Sequence, residues 1–336
     1  MDVEKTLETA YGRFLLRPYR DEDEEKVIEL WEAAFKQTLN RKIWRWKFHD
    51  NPFGRQIMLC LTESGMPIAM YAGIPYIANW NGQQIRMTQL IDNMSHPDFR
   101  QATNGRKGLF IQTADFFFEV FHGIHASELI YGFPGQKHFR LGKIFLDYDV
   151  IGEGGIFLET APSQIKKQYL FTLRSIGIPA NFDESFDTLW YEAKVNYPLS
   201  VCRDSRFLNW RFTQHPVNKY RIYTLKNWKG KPDAYLVLFM DHEMATIVDI
   251  FAKKDLTTAG TLIYKVAREL SKAGIEKMRI WLPKNHFLSS QLLQCGFREF
   301  QEPLGIIPGF IHFDDSGASK IPVENLYYTM ADGDLF

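Results

Sequence analysis

Cysteine is scarce in this chain: Cys60, Cys202 and Cys295 are the only three in 336 residues. They are odd in number, far apart and contain no CxxC pair, which argues against a disulfide-stapled secreted fold and a cysteine-based metal site. Each lies in apolar or strand-like sequence, so buried free thiols are expected. An excess of one charge is also lacking. Lys plus Arg and Asp plus Glu stand at 40 each, so global electrostatics gives no attraction to a polyanion and nucleic acid is not expected as a partner. No apolar run approaches the roughly 20 residues that span a bilayer, and Met1–Lys5 has neither the basic nor the apolar region of a leader. The expectation is a cytoplasmic protein without a membrane or nucleic-acid partner, with oligomerisation left open. What is present is ordinary for a globular protein: 45% apolar and 24% charged residues, over a length that favours two domains.

Periodicity gives the order of elements. Phe14–Pro18 reads as a strand, and Asp21 is placed to cap a helix whose apolar face carries Val27, Ile28, Trp31, Ala34 and Phe35. Strands follow at Ile57–Thr62, Ile68–Ile77 and Arg86–Ser95, the last two joined through Asn81-Gly82. A Gly-rich basic loop leads to an aromatic helix at Leu109–Phe121, then a strand at Glu128–Phe133. Such an order describes a mixed sheet covered by helices, an α/β arrangement.

A second copy is legible. Trp46-Lys47-Phe48 and Pro52 recur as Trp210-Arg211-Phe212 and Pro216. Strands at Tyr220–Leu225 and Ala234–Met240 follow, then Thr246-Ile247-Val248-Asp249, echoing Gln89-Leu90-Ile91-Asp92. A helix at Thr258–Ala273 and a strand at Lys277–Leu282 complete it. Two unrelated α/β domains sharing a Trp-rich helix end are the alternative. The Gly- and Pro-containing stretch Gly152–Lys167 sets the expected boundary, with residues 1–160 and 161–336 as the two domains.

The stretch Asp92-Asn93-Met94-Ser95-His96-Pro97, followed by Arg100, Gly105-Arg106-Lys107-Gly108 and Leu109, carries the most chemistry. It is a strand, a proline, a basic glycine-rich loop and a helix start. Converging amides and a helix N-terminus suit an anion such as a diphosphate; a solvated basic loop without ligand is the bland reading. Here the chain resembles the GNAT superfamily of acyl-CoA-dependent N-acetyltransferases, whose signature runs from an apolar residue and Pro through Arg/Gln-x-x-Gly-x-Gly/Ala into a helix. The match departs at two positions: Gly105 stands in the Arg/Gln place and Phe110 in the final Gly/Ala place. The loop is also longer than usual, and Arg100 or Arg106 stands in for the missing basic residue. The resemblance implies two tandem GNAT-like domains, each a mixed, mainly antiparallel sheet flanked by helices. It also implies acetyl-CoA as donor and a small-molecule or peptide amine as acceptor. The donor would lie on Asn93, Met94, Ser95, Arg100, Gly105, Arg106, Lys107, Gly108 and Leu109, with its carbonyl polarised by an amide near Met94.

Transfer to an amine requires a proton acceptor; the resemblance implies a carboxylate on the strand ending at the Pro, at times acting through water, and the one on Arg86–Ser95 is Asp92. Its counterpart Asp249 in the second copy leaves a structural role open. A proton donor to the departing thiolate is also needed. The resemblance points to the position four residues before Gly142, which is His138, with Tyr131 or Tyr148 as substitutes and a plain surface histidine as the alternative. The second copy has one glycine and an aspartate in Lys253–Gly260, so no donor is expected to bind there. Phe116-Phe117-Phe118 and Phe121 read as helix core, and the spacing of His122 and His125 does not suggest a metal. Tyr327–Met330 reads as an aromatic strand, and Asp332 and Asp334 after it as a frayed acidic tail, with attraction of an amine substrate as the alternative. Two further readings remain open: a non-catalytic acyl-CoA-binding scaffold, and a tandem relative that moves aminoacyl groups from tRNA.

Overall fold

A computed structural model of the chain describes residues 3–99, 102, 105, 108–123, 126–166, 173–301, 303–313 and 321–333. The chain divides into two compact units. The first comprises Met1–Ile77, Ile85–Asp149 and Gly309–Ala318; the second comprises Ala78–Gln84, Val150–Pro308 and Ser319–Phe336.

The first unit opens with the antiparallel hairpin β1 (Lys5–Thr9) and β2 (Gly12–Pro18), followed by α1 (Glu24–Phe35) and α2 (Arg41–Phe48). A meander of β3 (Gln56–Thr62), β4 (Pro67–Trp80) and β5 (Gln83–Ser95) comes next. β4 and β5 are joined by Asn81-Gly82, both with positive φ, 48° and 91°, the backbone of a tight hairpin turn. Then follow α3 (Leu109–Phe121), β6 (Leu129–Gly132), α4 (Gln136–Phe145) and β7 (Tyr148–Val150). The sheet order is β1-β2-β3-β4-β5-β6, then the returning strand Gly309–Ile311, then β7. β5 and β6 are parallel, whereas β2, β3 and β4 pair antiparallel in succession. The phenylalanine run of α3 lies in the core: Phe117 and Phe118 bring their rings to 5.3 and 5.4 Å from that of Tyr71 on β4.

The second unit contains β8 (Gly155–Thr160), β9 (Ser175–Gly177), α5 (Glu184–Ala193), β10 (Leu199–Val201) and α6 (Ser205–Leu208). Its meander is β11 (Tyr220–Lys226), β12 (Pro232–Asp241) and β13 (Met244–Ala252). After it come α7 (Thr258–Lys272), β14 (Lys277–Pro283), α8 (Phe287–Cys295), β15 (Arg298–Phe300) and β16 (Leu326–Tyr327). The sheet runs β15-β8-β14-β13-β12-β11-β9, with β13 and β14 parallel. Both sheets are mixed and flanked by helices, in agreement with the fold class read from the pattern. Trp46 and Trp210 are both buried, at the ends of corresponding helical segments.

β1 has no counterpart in the sequence reading, because its residues are largely exposed and carry no apolar alternation. Other local details differ or are added. The start of α1 is organised by Asp23 rather than Asp21: Asp23 is buried and accepts two hydrogen bonds from the Arg17 guanidinium (2.7 and 2.8 Å) and one from the Arg20 amide (2.9 Å). Residues Gln136–Phe145, to which the sequence reading assigns no element, form a helix that carries His138. Asp332 is no frayed tail but a fully buried partner of Arg203, while Asp334 lies outside the described residues.

Candidate active site

The candidate residues Asp92, Asn93, Met94 and Ser95 follow the point where β5 leaves β6. Parallel pairing runs from Met87 opposite Leu129 to Leu90 opposite Gly132 and stops. Two residues later Asp92 adopts φ of 50°, a left-handed conformation that a non-glycine residue rarely holds. The Asn93 side-chain oxygen accepts the Ala72 amide of β4 (2.8 Å), and His96 donates its amide to the Ile68 carbonyl (2.8 Å). A side chain thus replaces a ladder bond where β5 bulges, as a buried amide requires. Gly73 permits the close approach beside the bulge, since a Cβ there would stand 2.9 Å from the Gln89 carbonyl oxygen. Met94 is buried, and Asn93 and Ser95 are half-buried.

Asp92 is well engaged. One carboxylate oxygen accepts the Trp31 indole N–H (3.2 Å) and the other the Lys47 ammonium (3.0 Å). These partners come from α1 and α2, so the bulge is tied to both helices. Sequence reasoning missed Lys47 and Trp31. The repeated Trp-basic-Phe motif was the available signal for Lys47, but pattern alone does not say which carboxylate a lysine meets.

Gly108 is the N-cap of α3, and no side chain caps the helix there. Its amide donates to the Gly105 carbonyl (2.9 Å), and Gly105 has φ of 81°, so this turn favours glycine. The first turn contains no acidic residue. Helix-start amides without a side-chain acceptor are a favourable place for an anion. Leu109 is buried beneath this turn, while Arg100, Arg106 and Lys107 lie outside the described residues.

His138, on the first turn of α4, faces the Phe110 ring at 6.2 Å and the Tyr148 ring at 6.3 Å. Phe110 therefore links it to the start of α3. Burial lowers the His138 pKa, so the imidazole is neutral at pH 7. Tyr148 hydrogen-bonds Tyr71 through the two hydroxyls, and burial raises its pKa, so its phenol keeps its proton. Gly142 is needed here: a Cβ would sit 2.5 Å from the Tyr148 ring.

The second unit has a comparable strand end and helix start, both bonded by its own side chains. Parallel pairing of β13 with β14 stops at Ile247 opposite Ile280, again two residues before an aspartate, Asp249. The β12–β13 register shifts beside it, so a bulge recurs as well. Beyond that point the free edge of β13 is taken by tyrosines. Tyr197 donates its hydroxyl proton to the Ala252 carbonyl (2.9 Å) and accepts the Ala252 amide (3.0 Å), while Tyr327 donates to the Ile250 carbonyl. Both rings are buried. At the helix start, Asp255 accepts the amides of Thr257 (2.7 Å) and Thr258 (2.6 Å). Burial works to raise its pKa, but the Thr258 hydroxyl, these amides and Arg174 hold it below the usual carboxylate range. Asp249 is sealed among Arg203, Tyr235 and Thr329.

The three thiols are free. Burial pushes Cys60 and Cys202 up to about 12 and Cys295 to about 11, which makes them poor nucleophiles. Among the described residues no group of three or more His, Cys, Asp or Glu side chains could hold a metal ion, and no helix is long and apolar enough to cross a membrane.

Residues 16–119, from β2 almost to the end of α3, match the family model of the acetyltransferase (GNAT) domain. No curated protein matches the chain. Among solved structures, the chain is similar to a GCN5-related N-acetyltransferase from Anabaena variabilis, with a TM-score of 0.67 and 13% identity over 89% of this chain and 72% of that one. It is also similar to a GCN5-related N-acetyltransferase from Kribbella flavida (TM-score 0.64, 14% identity, 88% and 70% covered). A third is Saccharomyces cerevisiae N-myristoyltransferase with bound myristoyl-CoA (TM-score 0.59, 10% identity, 97% and 90% covered). At these identities the likeness is one of fold.

Proposed function

We propose that this protein transfers an acetyl group from acetyl-CoA to a primary amine on a small molecule or peptide, in the cytoplasm, using the first of two tandem GNAT-like domains. In this reading residues 1–160 and 161–336 form the main bodies of those domains. The observation that carries it is the contrast at the two helix starts: among the described residues no side chain accepts an amide at the start of α3, whereas Asp255 accepts the amides of Thr257 and Thr258. The family match over residues 16–119 supports the same reading.

Gly105, Gly108 and Leu109, with Arg100, Arg106 and Lys107, would hold the diphosphate, and the backbone at Asn93, Met94 and Ser95 would meet the pantetheine arm. Bound acetyl-CoA supplies an activated thioester. The amine nitrogen bonds to the carbonyl carbon as the carbon–sulfur bond breaks; one proton leaves the nitrogen and one joins the sulfur. An amide near Met94 stabilises the charge that develops on the carbonyl oxygen. Asp92 is the carboxylate nearest in sequence to that amide. With both oxygens engaged by Trp31 and Lys47, it serves chiefly to hold the bulge. The proton that joins the sulfur would come from His138, whose ring lies 6.2 Å from that of Phe110 at the start of α3, with Tyr131 or Tyr148 as substitutes.

The test is transfer from acetyl-CoA to a panel of amines, with Gly108→Glu as control. The reading expects acetylation by the wild type and none by the variant, with both folded. Tight acetyl-CoA binding without transfer to any amine would favour a scaffold role instead.

A further inference from the structure

Five large apolar side chains stand apart from the rest of the described surface. Leu173, Leu256, Val195, Trp228 and Tyr191 are each between 73% and 86% exposed, whereas the next, Ile144, is 61% exposed. All five belong to the second unit, and polar contacts draw together the segments that bear Leu173, Trp228, Leu256 and Tyr191. β9 and β11 pair with Ser175 opposite Lys226, two residues from Leu173 and Trp228 respectively. Arg174, beside Leu173, donates to Asp233 (3.2 Å), to Asp255 (3.2 Å) and to the Thr257 hydroxyl (2.8 Å), which brings in the loop bearing Leu256. Asn227, beside Trp228, donates to Asp233 (3.1 Å). Lys253 joins Asp233 (2.9 Å) to Glu192 (2.7 Å), the neighbour of Tyr191.

Charge on this corner is uneven. Asp233, Asp255 and Glu192 are bound by Arg174 and Lys253. Lys226, Lys229, Lys231 and Lys254 pair with no carboxylate among the described residues. Lys229 and Lys194 lie over the Trp228 and Tyr191 rings at 4.9 and 5.0 Å. The hairpin tip is stiff, because the Asn227 side chain accepts the Lys229 and Lys231 amides (3.0 and 3.2 Å), so Trp228 is presented with little freedom left to lose.

We propose that this corner docks on an anionic lipid bilayer, with Trp228, Leu173 and Leu256 entering the interface and the lysines facing the headgroup phosphates. Separate apolar projections interleaved with lysines fit a lipid interface, where Trp and Lys are favoured. A protein partner fits less well, since lysine is depleted from protein–protein interfaces. This departs from the membrane-free partner list expected from composition alone, because the lysines and apolar tips meet only in the fold.

The full chain would be sedimented with phosphatidylcholine vesicles, with and without about one-third phosphatidylserine. The expected result is binding to the anionic vesicles alone, reversed by raised salt. Trp228→Ala with Leu256→Ala, and separately Lys229→Glu with Lys231→Glu, should each lower partitioning roughly tenfold, with circular dichroism unchanged. Absence of vesicle binding, or binding that neither pair alters, overturns the proposal. Capture by soluble polyglutamate without vesicle binding also overturns it, in favour of an acidic protein partner.

Discussion

Asp92 and Asp249 belong to different units, and each stands two residues beyond the end of a parallel ladder. Their surroundings differ. Asp92 is held by Lys47 and Trp31 at a bulge whose helix start is left without a side-chain cap. Asp249 is enclosed by Arg203, Tyr235 and Thr329, in a unit whose strand edge is bonded by Tyr197 and Tyr327 and whose helix start is bonded by Asp255. A strand end and a helix start leave backbone groups that need partners. In the second unit Tyr197, Tyr327 and Asp255 supply them; in the first, the proposed function assigns that place to a ligand.

The largest expected effect that would break this comparison lies in the sealed unit. Asp332→Ala leaves Arg203 buried with Asp249 alone at 3.4 Å and should cost about 3–5 kcal/mol in urea unfolding. A loss under about 1 kcal/mol would show that the cluster is not what closes the unit. Next is the response to acid. Burial lowers His286 from 6.5 to about 3, so it folds neutral and takes up a proton on unfolding. Stability from this group is complete above pH 6.5 and falls as pH drops towards 3. By pH 5 the loss should be about 2 kcal/mol, absent in His286→Gln. Asp255→Ala should cost about 1–2 kcal/mol by thermal unfolding, the worth of a helix cap. Its wild-type contribution is present above the unfolded carboxylate pKa and lost as pH falls through the depressed folded value. Smallest is Asp92→Asn, which keeps the Trp31 bond and weakens only the Lys47 pair. It should lower stability by about 1 kcal/mol, less than Asp249→Asn does. If Asp92 is instead the proton acceptor, the same substitution slows acyl transfer and shifts its pH profile without changing stability.

Much of the fold was legible because its signals are local. Asn81-Gly82 fixes a turn, the continuous apolar run of β3 marks a strand buried on both faces, and α3 shows a full helical stripe. The helix around His138 was harder to see, because a short, basic, glycine-containing segment gives little periodicity. The candidate site was legible as a strand–loop–helix, but its partners were not. Lys47 meets Asp92 across 45 residues and Tyr71 meets Tyr148 across 77, separations that no sequence window spans. The same holds for the plug in the second unit. Asp255 stood in the loop and was noted as an acidic residue; that it would occupy the helix amides depends on backbone geometry. Tyr327 reads as part of an aromatic strand, but nothing in the sequence shows that Asp332 folds inward onto Arg203.

The central claim is that only one of the two splayed sites takes the donor. Isothermal titration of the full chain with acetyl-CoA measures this directly. One molecule bound per chain, abolished by Gly108→Glu and unaffected by Asp255→Ala, is the predicted result. Two molecules per chain, or one that survives Gly108→Glu, would contradict it.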